Sequence, residues 1–595
     1  MITLGINAAF HDSSAALVID GVPVAAVEEE RFTRVKHAKR PLPFSAWELP
    51  FHAIDNCLAQ AGLVLDEVDH VAYSFDPARF AADRSDLEIG ADGAIPLPLM
   101  PEARGTERPW DSPWDPLFLA YVMNAPSQLA DGAPHHLRRR LARRSATPRW
   151  QWRYVDHHLC HQASAFLAAP FERCAVLTLD GRGERATTSH GVWADGAYRA
   201  LGEVRMPHSL GMLYEQVTAH LGFLHSSDEY KVMALAALGE PRFAERIGAK
   251  LHLLGGGRFG IDPVDWAALA GPPRAPGTEL QQVHLDLAAS LQQVLERTVL
   301  KLAEWLREAS GESALAMAGG VALNCVMNAR LRDAGPFESI WVQPAAGDAG
   351  TALGAALWAD IVQRGSVGRL APRGWTMQHA YLGPGWSDDE IEPLLQWAGL
   401  AYERFDAETA FVDAVAALLQ RQHIVGWFQG RMEWGPRALG ARSILAAPTD
   451  PGMQARLNEL KDREDFRPVA PAVPAERFAQ WFDPGRGRTP PSPYMLFTYR
   501  TRPEQAARIP SACHDDGSAR VQAVQAAANP RFHALLEAFG ARTGVPVLVN
   551  TSFNVRGEPI VCTPKDALDA FFTTPLTALA IGNFLLRKPA AQEPA

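Results

Sequence analysis

The stretch CAVLTLDGRGERATTSHGVWADGAYRALGEV, residues 174–204, decides the fold. It reads as an apolar strand from Cys174 to Leu179, a polar loop Asp180-Gly181-Arg182-Gly183-Glu184, and a strand from Ala186 to Trp193. An Ala194-Asp195-Gly196 turn then leads to a returning strand from Tyr198 to Val204. Asp-Gly between apolar runs is a strong hairpin signal. The start of the chain has the same pattern: a strand from Thr3 to Asn7, the polar loop Phe10-His11-Asp12-Ser13-Ser14, a strand from Ala15 to Ile19, an Asp20-Gly21 turn, and a strand from Val22 to Glu28. A supersecondary unit repeated within one chain predicts two similar halves facing a cleft that holds both polar loops.

Just upstream stands His157-His158-Leu159-Cys160-His161. On a helix, His157 and His161 share one face, and Asp180 closes the next apolar run. Two nitrogens and one hard oxygen, with positions left open, suit a catalytic iron or zinc better than a closed structural site. An isolated HxxxH is more often a helix with surface histidines; the rest of the chain weighs against that here. A helix is expected over 46–62, a strand over Val68 to Phe75, and a long helix over 281–309. The run Leu315 to Asn324 reads as a buried strand entering a Gly319-Gly320 turn, whose freed amides can contact phosphate or ribose. Pro344 to Gly350 is a second tight turn, before a helix from Ala352.

The chain has 595 residues, too many for one core. Hydrophobic content of 47% and charged content of 21% are those of a soluble globular protein. A net charge of −10 disfavours a nucleic-acid partner. Six scattered cysteines without a CxxC pair argue against a disulfide framework or zinc ribbon and fit a cytoplasmic protein. Neither a signal peptide nor a membrane span is expected. Residues 85–150 and 254–278 read as insertions, the first with a basic segment at 135–144 that is more often a solvated helix face than a partner surface, the second as Gly- and Pro-rich loop. Domains are expected at 1–365 and 386–595, joined by a linker over 366–385, with a frayed tail from Lys588.

The second domain carries a different chemistry. Its segments Gly430 to Ser443, Leu457 to Pro468 and Asp516 to Arg520 bring Lys and Arg into short, partly Gly-rich turns, and the strand Val547 to Asn550 runs into Thr551-Ser552-Phe553-Asn554. Fork-shaped donors beside hydroxyl and amide groups are what a triphosphate needs. No GxxxxGK[ST] loop is present, so this is not a P-loop enzyme.

Taken together, these segments resemble the O-carbamoyltransferases of the NodU/CmcH type, which decorate antibiotics and nodulation factors. The resemblance also rests on His11 to Ala15, Glu28-Glu29-Glu30-Arg31-Phe32 with Lys36-His37, Glu229-Tyr230-Lys231-Val232-Met233, Gly347 to Gly350 and Gly557-Glu558-Pro559. It implies a mixed α/β protein. The N-terminal domain would be actin-like (the ATPase and sugar-kinase superfamily, TsaD-like), of two ribonuclease-H-like halves, and the C-terminal domain YrdC-like. It implies that carbamoyl phosphate and ATP, with Mg²⁺, give carbamoyl adenylate, and that the carbamoyl group then passes to a hydroxyl of a natural-product or sugar-like small molecule at an Fe²⁺ site, with zinc or another divalent metal as alternatives. Carried over by motif, the metal ligands are His157, His161, Asp180 and Asp348, and the general base is His11. Lys461, Arg467, Arg520, Asn550 and Ser552 bind ATP or the adenylate, with Met495, Arg431 and Arg437 near that site. Asp12, Gly181, Gly319, Gly320 and Asn324 are the expected nucleotide contacts of the N-terminal domain. A homodimer is left open.

Three other readings compete. A small-molecule kinase would produce ADP and leave the second domain's cations without a job. A tRNA-modifying transferase would need an RNA surface, against the net charge. A catalytically dead binding protein would lack ligands, yet His11, His157, His161, Asp180 and Asp348 are all present.

Overall fold

The computed structural model describes residues 1–38, 49–82, 115–132, 149–514 and 516–588. Its first sheet contains β1 (Ile2–Asn7), β2 (Ser14–Ile19), β3 (Val22–Glu28), β4 (His70–Tyr73) and β5 (Gln151–Tyr154), in the order β3-β2-β1-β4-β5. Its second contains β6 (Cys174–Leu179), β7 (Ala186–Ala194), β8 (Ala197–Arg205), β9 (Ala314–Ala318) and β10 (Ser339–Val342), in the order β10-β9-β6-β7-β8. In both sheets the first three strands form an antiparallel meander and the last two run parallel to the first. The repeat read from the sequence is therefore a repeat of topology. All six residues of β6 are buried, as expected of a strand covered on both faces.

Two helices lie between the sheets: His157–Phe166, capped by Asp156 through Leu159 N–H, and Ala349–Gln363. The second is squeezed from two sides by glycines. A Cβ on Gly5 of β1 would stand 1.9 Å from the Ala352 carbonyl, and one on Gly354 would stand 1.8 Å from the Cys160 carbonyl. Backbone thus approaches backbone, and the N-terminal ends of both helices come out beside the end of β6.

The C-terminal part builds an eight-stranded mixed sheet, in the order Glu403–Arg404, Phe584–Arg587, Ala578–Ile581, Val425–Phe428, Arg442–Ala446, Leu548–Ser552, Ala470–Pro474 and Gln522–Val524. It is tied to the N-terminal part through a buried strut. Arg31 donates to Glu28 at 3.0 Å and to the Gly435 carbonyl at 3.1 Å, and Glu28 accepts from Gly435 N–H at 3.1 Å. Arg34 reaches the Ile560 and Pro559 carbonyls.

The structure differs from the sequence reading in places. The 254–278 stretch is not all loop: it holds most of a hairpin, Leu251–Gly255 with Arg258–Ile261, and the helix Trp266–Ala270. The apolar run from Leu315 leaves the sheet at Ala318 and turns through Gly320–Leu323, because Gly319 takes φ +96°. The helix expected over 46–62 is Phe51–Gln60 among the described residues. Asp115–Asp131 is helical, whereas the basic 135–144 segment and the tail beyond Lys588 lie outside the described residues.

Gly354→Ala is expected to lower stability by about 1–3 kcal/mol, because two backbones must part to admit the methyl. Gly248→Ala, whose Cβ would meet only a Val294 methyl at 4.0 Å, serves as the neutral control in thermal unfolding.

Candidate active site

His157 and His161 occupy the first turns of the His157–Phe166 helix, Asp180 follows β6, and Asp348 precedes the Ala349–Gln363 helix. One ligand atom from each of the four lies within 4.8 Å of all the others. Nε2 of His157 stands 3.7 Å from Asp180 and 3.6 Å from Asp348; Nε2 of His161 stands 3.8 Å and 3.6 Å from the same carboxylates. These separations are too long for hydrogen bonds. His157 Nε2 and both ring nitrogens of His161 are buried without a hydrogen-bond partner. An unpartnered buried nitrogen is costly unless a ligand satisfies it, so this donor set fits a divalent metal.

The surroundings orient each donor. His157 Nδ1 points at the Ser74 carbonyl at 3.2 Å, which turns Nε2 toward the carboxylates. Asp180 Oδ1 accepts from Gly320 N–H at 2.9 Å, and Gly319 admits this turn because any Cβ there would stand 2.2 Å from the Leu179 carbonyl. Asp348 sits in the N-cap position but makes no side-chain cap, which leaves its carboxylate unspent. Burial opposes a charge on His157, yet Asp180 and Asp348 outweigh it and raise the imidazole well above its usual range; against the same burial, the histidines hold Asp180 down. The neighbouring His158 faces elsewhere, bonds Ser189 Oγ at 2.9 Å, and is driven by burial down to about 3, so it stays neutral.

The first polar loop lies against this cluster. Phe10 meets the His157 ring edge-on at 5.3 Å, and Arg182 covers the other partner of that contact, 5.3 Å from the Phe10 ring. Phe10 and Asp12 have φ of +52° and +50°, a left-handed backbone that non-glycine residues keep only when their surroundings enforce it. Asn7 does so, donating to the His11 and Asp12 carbonyls at 2.8 Å and 3.0 Å. His11 Nδ1 is 2.9 Å from Asp12, and His11 Nε2 is 2.6 Å from the Ser226 carbonyl. Of the expected nucleotide contacts, Gly319 and Gly320 adjoin Asp180, Gly181 adjoins Ser209 through its carbonyl, and a Cβ on Gly347 would come within 3.9 Å of Asp12. Asn324 instead caps the Cys325–Ala334 helix and pairs with Gln292.

A second constellation stands where the C-terminal sheet meets the N-terminal part. Arg437, Lys461, Arg463, Arg467 and Arg520 press on one another. Burial first, then Arg520, pushes Arg437 down to about 9; burial, Arg467 and Arg520 do the same to Arg463; Lys461 is held well below its usual range by burial and by Arg463 and Arg467. Nε of Arg437 and of Arg520 and one Arg463 nitrogen are buried without a partner. Lys461 Nζ donates to Asn554 Oδ1 at 2.7 Å and to Ser552 Oγ at 3.2 Å. Asn550 donates to Gln522 Oε1 at 2.7 Å, and its own Oδ1 has no partner. Crowded cations with spare donors make an anion site.

Two further expected members are placed as follows. Arg431 donates to the Val24, Leu382 and Gly383 carbonyls and so braces the junction. Met495 is buried, beside the Leu496 carbonyl that accepts from Asn328, and takes φ +57°.

The family models for the N-terminus and the C-terminus of carbamoyltransferases match residues 2–83 with 141–357, and residues 416–588. The chain belongs to the carbamoyltransferase family. It is 35% identical to nodulation protein NolNO of Sinorhizobium fredii, over 98% of this chain and 80% of that one. It is 39% identical to nodulation protein NolO of Bradyrhizobium diazoefficiens, over 73% and 79%. It is 40% identical to an uncharacterized protein of Synechocystis sp., over 99% and 97%. The structure of HypF from T. kodakarensis aligns with a TM-score of 0.32 and 11% identity over 61% of this chain and 48% of that one, too loosely to bear on function.

Two features of this carbamoyltransferase escape a reading of its sequence. Tyr230 lies between the cation cluster and the segment that carries His37, with Arg467 over its ring at 4.7 Å and Lys36 at 5.6 Å. His37 closes on Asp12 at 2.8 Å. Both stand in segments singled out above as motif, but nothing local reveals what they touch. Arg463, read as one of several basic residues, belongs to the cation cluster.

Pyrophosphate is expected to raise the thermal unfolding temperature by binding the folded cations. Replacing Arg463 and Arg520 by Ala should abolish that rise; an equal rise in the double variant would place the anion elsewhere.

Proposed function

We propose that this carbamoyltransferase works in two stages at the two constellations, with the N-terminal part TsaD-like over 1–365 and the C-terminal part YrdC-like over 386–595. The observation that carries the reading is the pairing of a crowded cation cluster with a separate cluster of four buried metal donors. Carbamoyl phosphate is hydrolysed to carbamate and phosphate. The carbamate oxygen then attacks the α-phosphorus of Mg-ATP, and pyrophosphate leaves. Arg437, Arg463, Arg467 and Arg520 receive the negative charge that the triphosphate brings and that gathers on the leaving pyrophosphate. Lys461, in this conformation taken up by Ser552 and Asn554, holds the strand end that presents Ser552. Asn550 offers the adenylate an unpartnered carbonyl.

Carbamoyl adenylate is a mixed anhydride with AMP as a good leaving group, while an alcohol is a weak nucleophile at neutral pH. A base must take the hydroxyl proton as the bond to the carbamoyl carbon forms. His11 is the residue for that role, because its side chain carries the right chemistry and its loop lies beside the metal donors. Asp180 and Asp348 with His157 and His161 would hold the divalent ion, Fe²⁺ or zinc, which would supply Lewis acidity at the carbamoyl carbonyl. Phe10 shields His157 from water. The acceptor is a hydroxylated small molecule of natural-product or sugar-like class.

Incubation with ATP, carbamoyl phosphate, Mg²⁺ and Fe²⁺ should release pyrophosphate, and AMP after it, only when carbamoyl phosphate is present. ADP without pyrophosphate would mark a kinase and sink the reading. Arg520→Ala should cut pyrophosphate release by about 10²-fold or more, whereas His11→Gln should leave it intact. For the metal, His157→Ala should lose a stoichiometric divalent ion that His158→Ala retains, as measured by elemental analysis after desalting.

A further inference from the structure

His11 is not alone on Asp12. His37 Nδ1 stands 2.8 Å from Asp12 Oδ1, while His11 Nδ1 stands 2.9 Å from Oδ2, so the two imidazoles hold the two oxygens of one carboxylate. Their rings lie 4.4 Å apart at 41°. His37 comes from the other side of the first sheet's meander, and its placement is enforced. Its backbone takes φ +60°, its N–H donates to Glu30 Oε2 at 2.5 Å, and its Nε2 meets Ser227 Oγ at 2.9 Å. Glu30 is fixed in turn by Arg31 at 2.8 Å, the same arginine that braces Gly435. His37 is thus anchored at its backbone, at Nδ1 and at Nε2, and a residue held in a left-handed backbone without being glycine points to function.

Hydrogen-bond accounting gives this arrangement a consequence. A carboxylate and a carbonyl only accept. The two His11 nitrogens face the Asp12 carboxylate and the Ser226 carbonyl, two acceptors that compete for the single ring proton of neutral imidazole. That proton sits on Nδ1, which leaves Nε2 the lone pair a base needs, only while Asp12 stays in place to accept it. Asp12 is pinned from its far side by His37. Burial would push the Asp12 carboxyl up, but His11 and His37 outweigh it and hold it well below the usual range, so it remains an acceptor at neutral pH.

We propose that His37 is a positioning residue for His11: by fixing one oxygen of Asp12 it directs the other to His11 Nδ1 and holds the ring proton there, so that Nε2, here beside the Ser226 carbonyl, can exchange that neighbour for an acceptor hydroxyl and take its proton. The proposal rests on reading His11 as the base, and it extends the pair His11–Asp12 to a chain His11–Asp12–His37–Ser227. The orienting carboxylate is then itself oriented, as in other nucleophile-activating relays.

The test is the ring tautomer of His11 in the full-length protein labelled with ¹⁵N-histidine, read from two-bond ¹⁵N–¹H correlations and assigned by loss of the signal in His11→Gln. Wild type should show neutral His11 with its proton on Nδ1. His37→Phe and His37→Gln both remove the donor facing Asp12, and each should reduce that preference by roughly tenfold. His37→Asn places an amide N–H where Nδ1 stood, tolerates a left-handed backbone, and should restore the wild-type tautomer. If His37→Phe does not fold, His37→Gln still decides the matter. An unchanged His11 tautomer in the Phe and Gln variants overturns the proposal. The base assignment is checked separately: retention of carbamoyl transfer by His11→Gln would remove His11 as base and leave the tautomer result standing.

Discussion

Backbone-to-backbone packing between the two sheets is the constraint on which the rest depends. The Ala349–Gln363 helix lies so close to β1 and to the His157–Phe166 helix that Gly5 and Gly354 leave no room for a Cβ. A pair of helices held at that distance delivers its N-terminal ends to one point. Two histidines come from one helix, Asp348 from the approach to the other, and Asp180 from the adjacent strand end. Interiors packed to crystal density transmit such positions with little slack, so the donors meet without any one element being unusual. The cost of burying them falls on nitrogens with no partner, which is the pattern of a site built for a ligand rather than for stability.

The same economy joins the two chemistries. Arg31 serves the junction through Glu28 and Gly435 and serves the first loop through Glu30, which holds the His37 backbone. The segment around Ser226 to Lys231 touches both the first polar loop with its partner His37 and the cation cluster: Ser226 meets His11, Ser227 meets His37, Tyr230 stacks on Arg467, and Lys231 pairs with Glu464 at 2.8 Å. The cation cluster and the first polar loop, which lies against the donor cluster through Phe10, therefore share a wall. On the proposed two-stage reading, such a shared wall would shorten the exposure of the intermediate to water.

Much of this is legible in the sequence. The Asp-Gly turns and apolar periodicity of residues 3–28 and 174–204 are local signals, and each element they predict is present, with ends shifted by a residue or two. His157 and His161 on one helical face follow from spacing alone. The run from Leu315 was read too long because hydrophobicity does not report the left-handed turn at Gly319. The 254–278 stretch was read as loop because its glycines and prolines outweigh the short alternation of its hairpin. Arg431 looked like its neighbours in a basic turn, and only its three carbonyl partners show that it braces the junction.

The sequence by itself determined the internal repeat, the α/β character, the helical pair of histidines and the supply of cations, since periodicity, turn chemistry and residue type act over a few positions. Tertiary structure decided which residues meet. Asp348 joins His157, His37 joins Asp12, Tyr230 joins Arg467, and Arg431 leaves the anion site. Each of these pairings spans 25 to 237 positions of chain, and it is the packing of helices between sheets, not any local preference, that closes those distances.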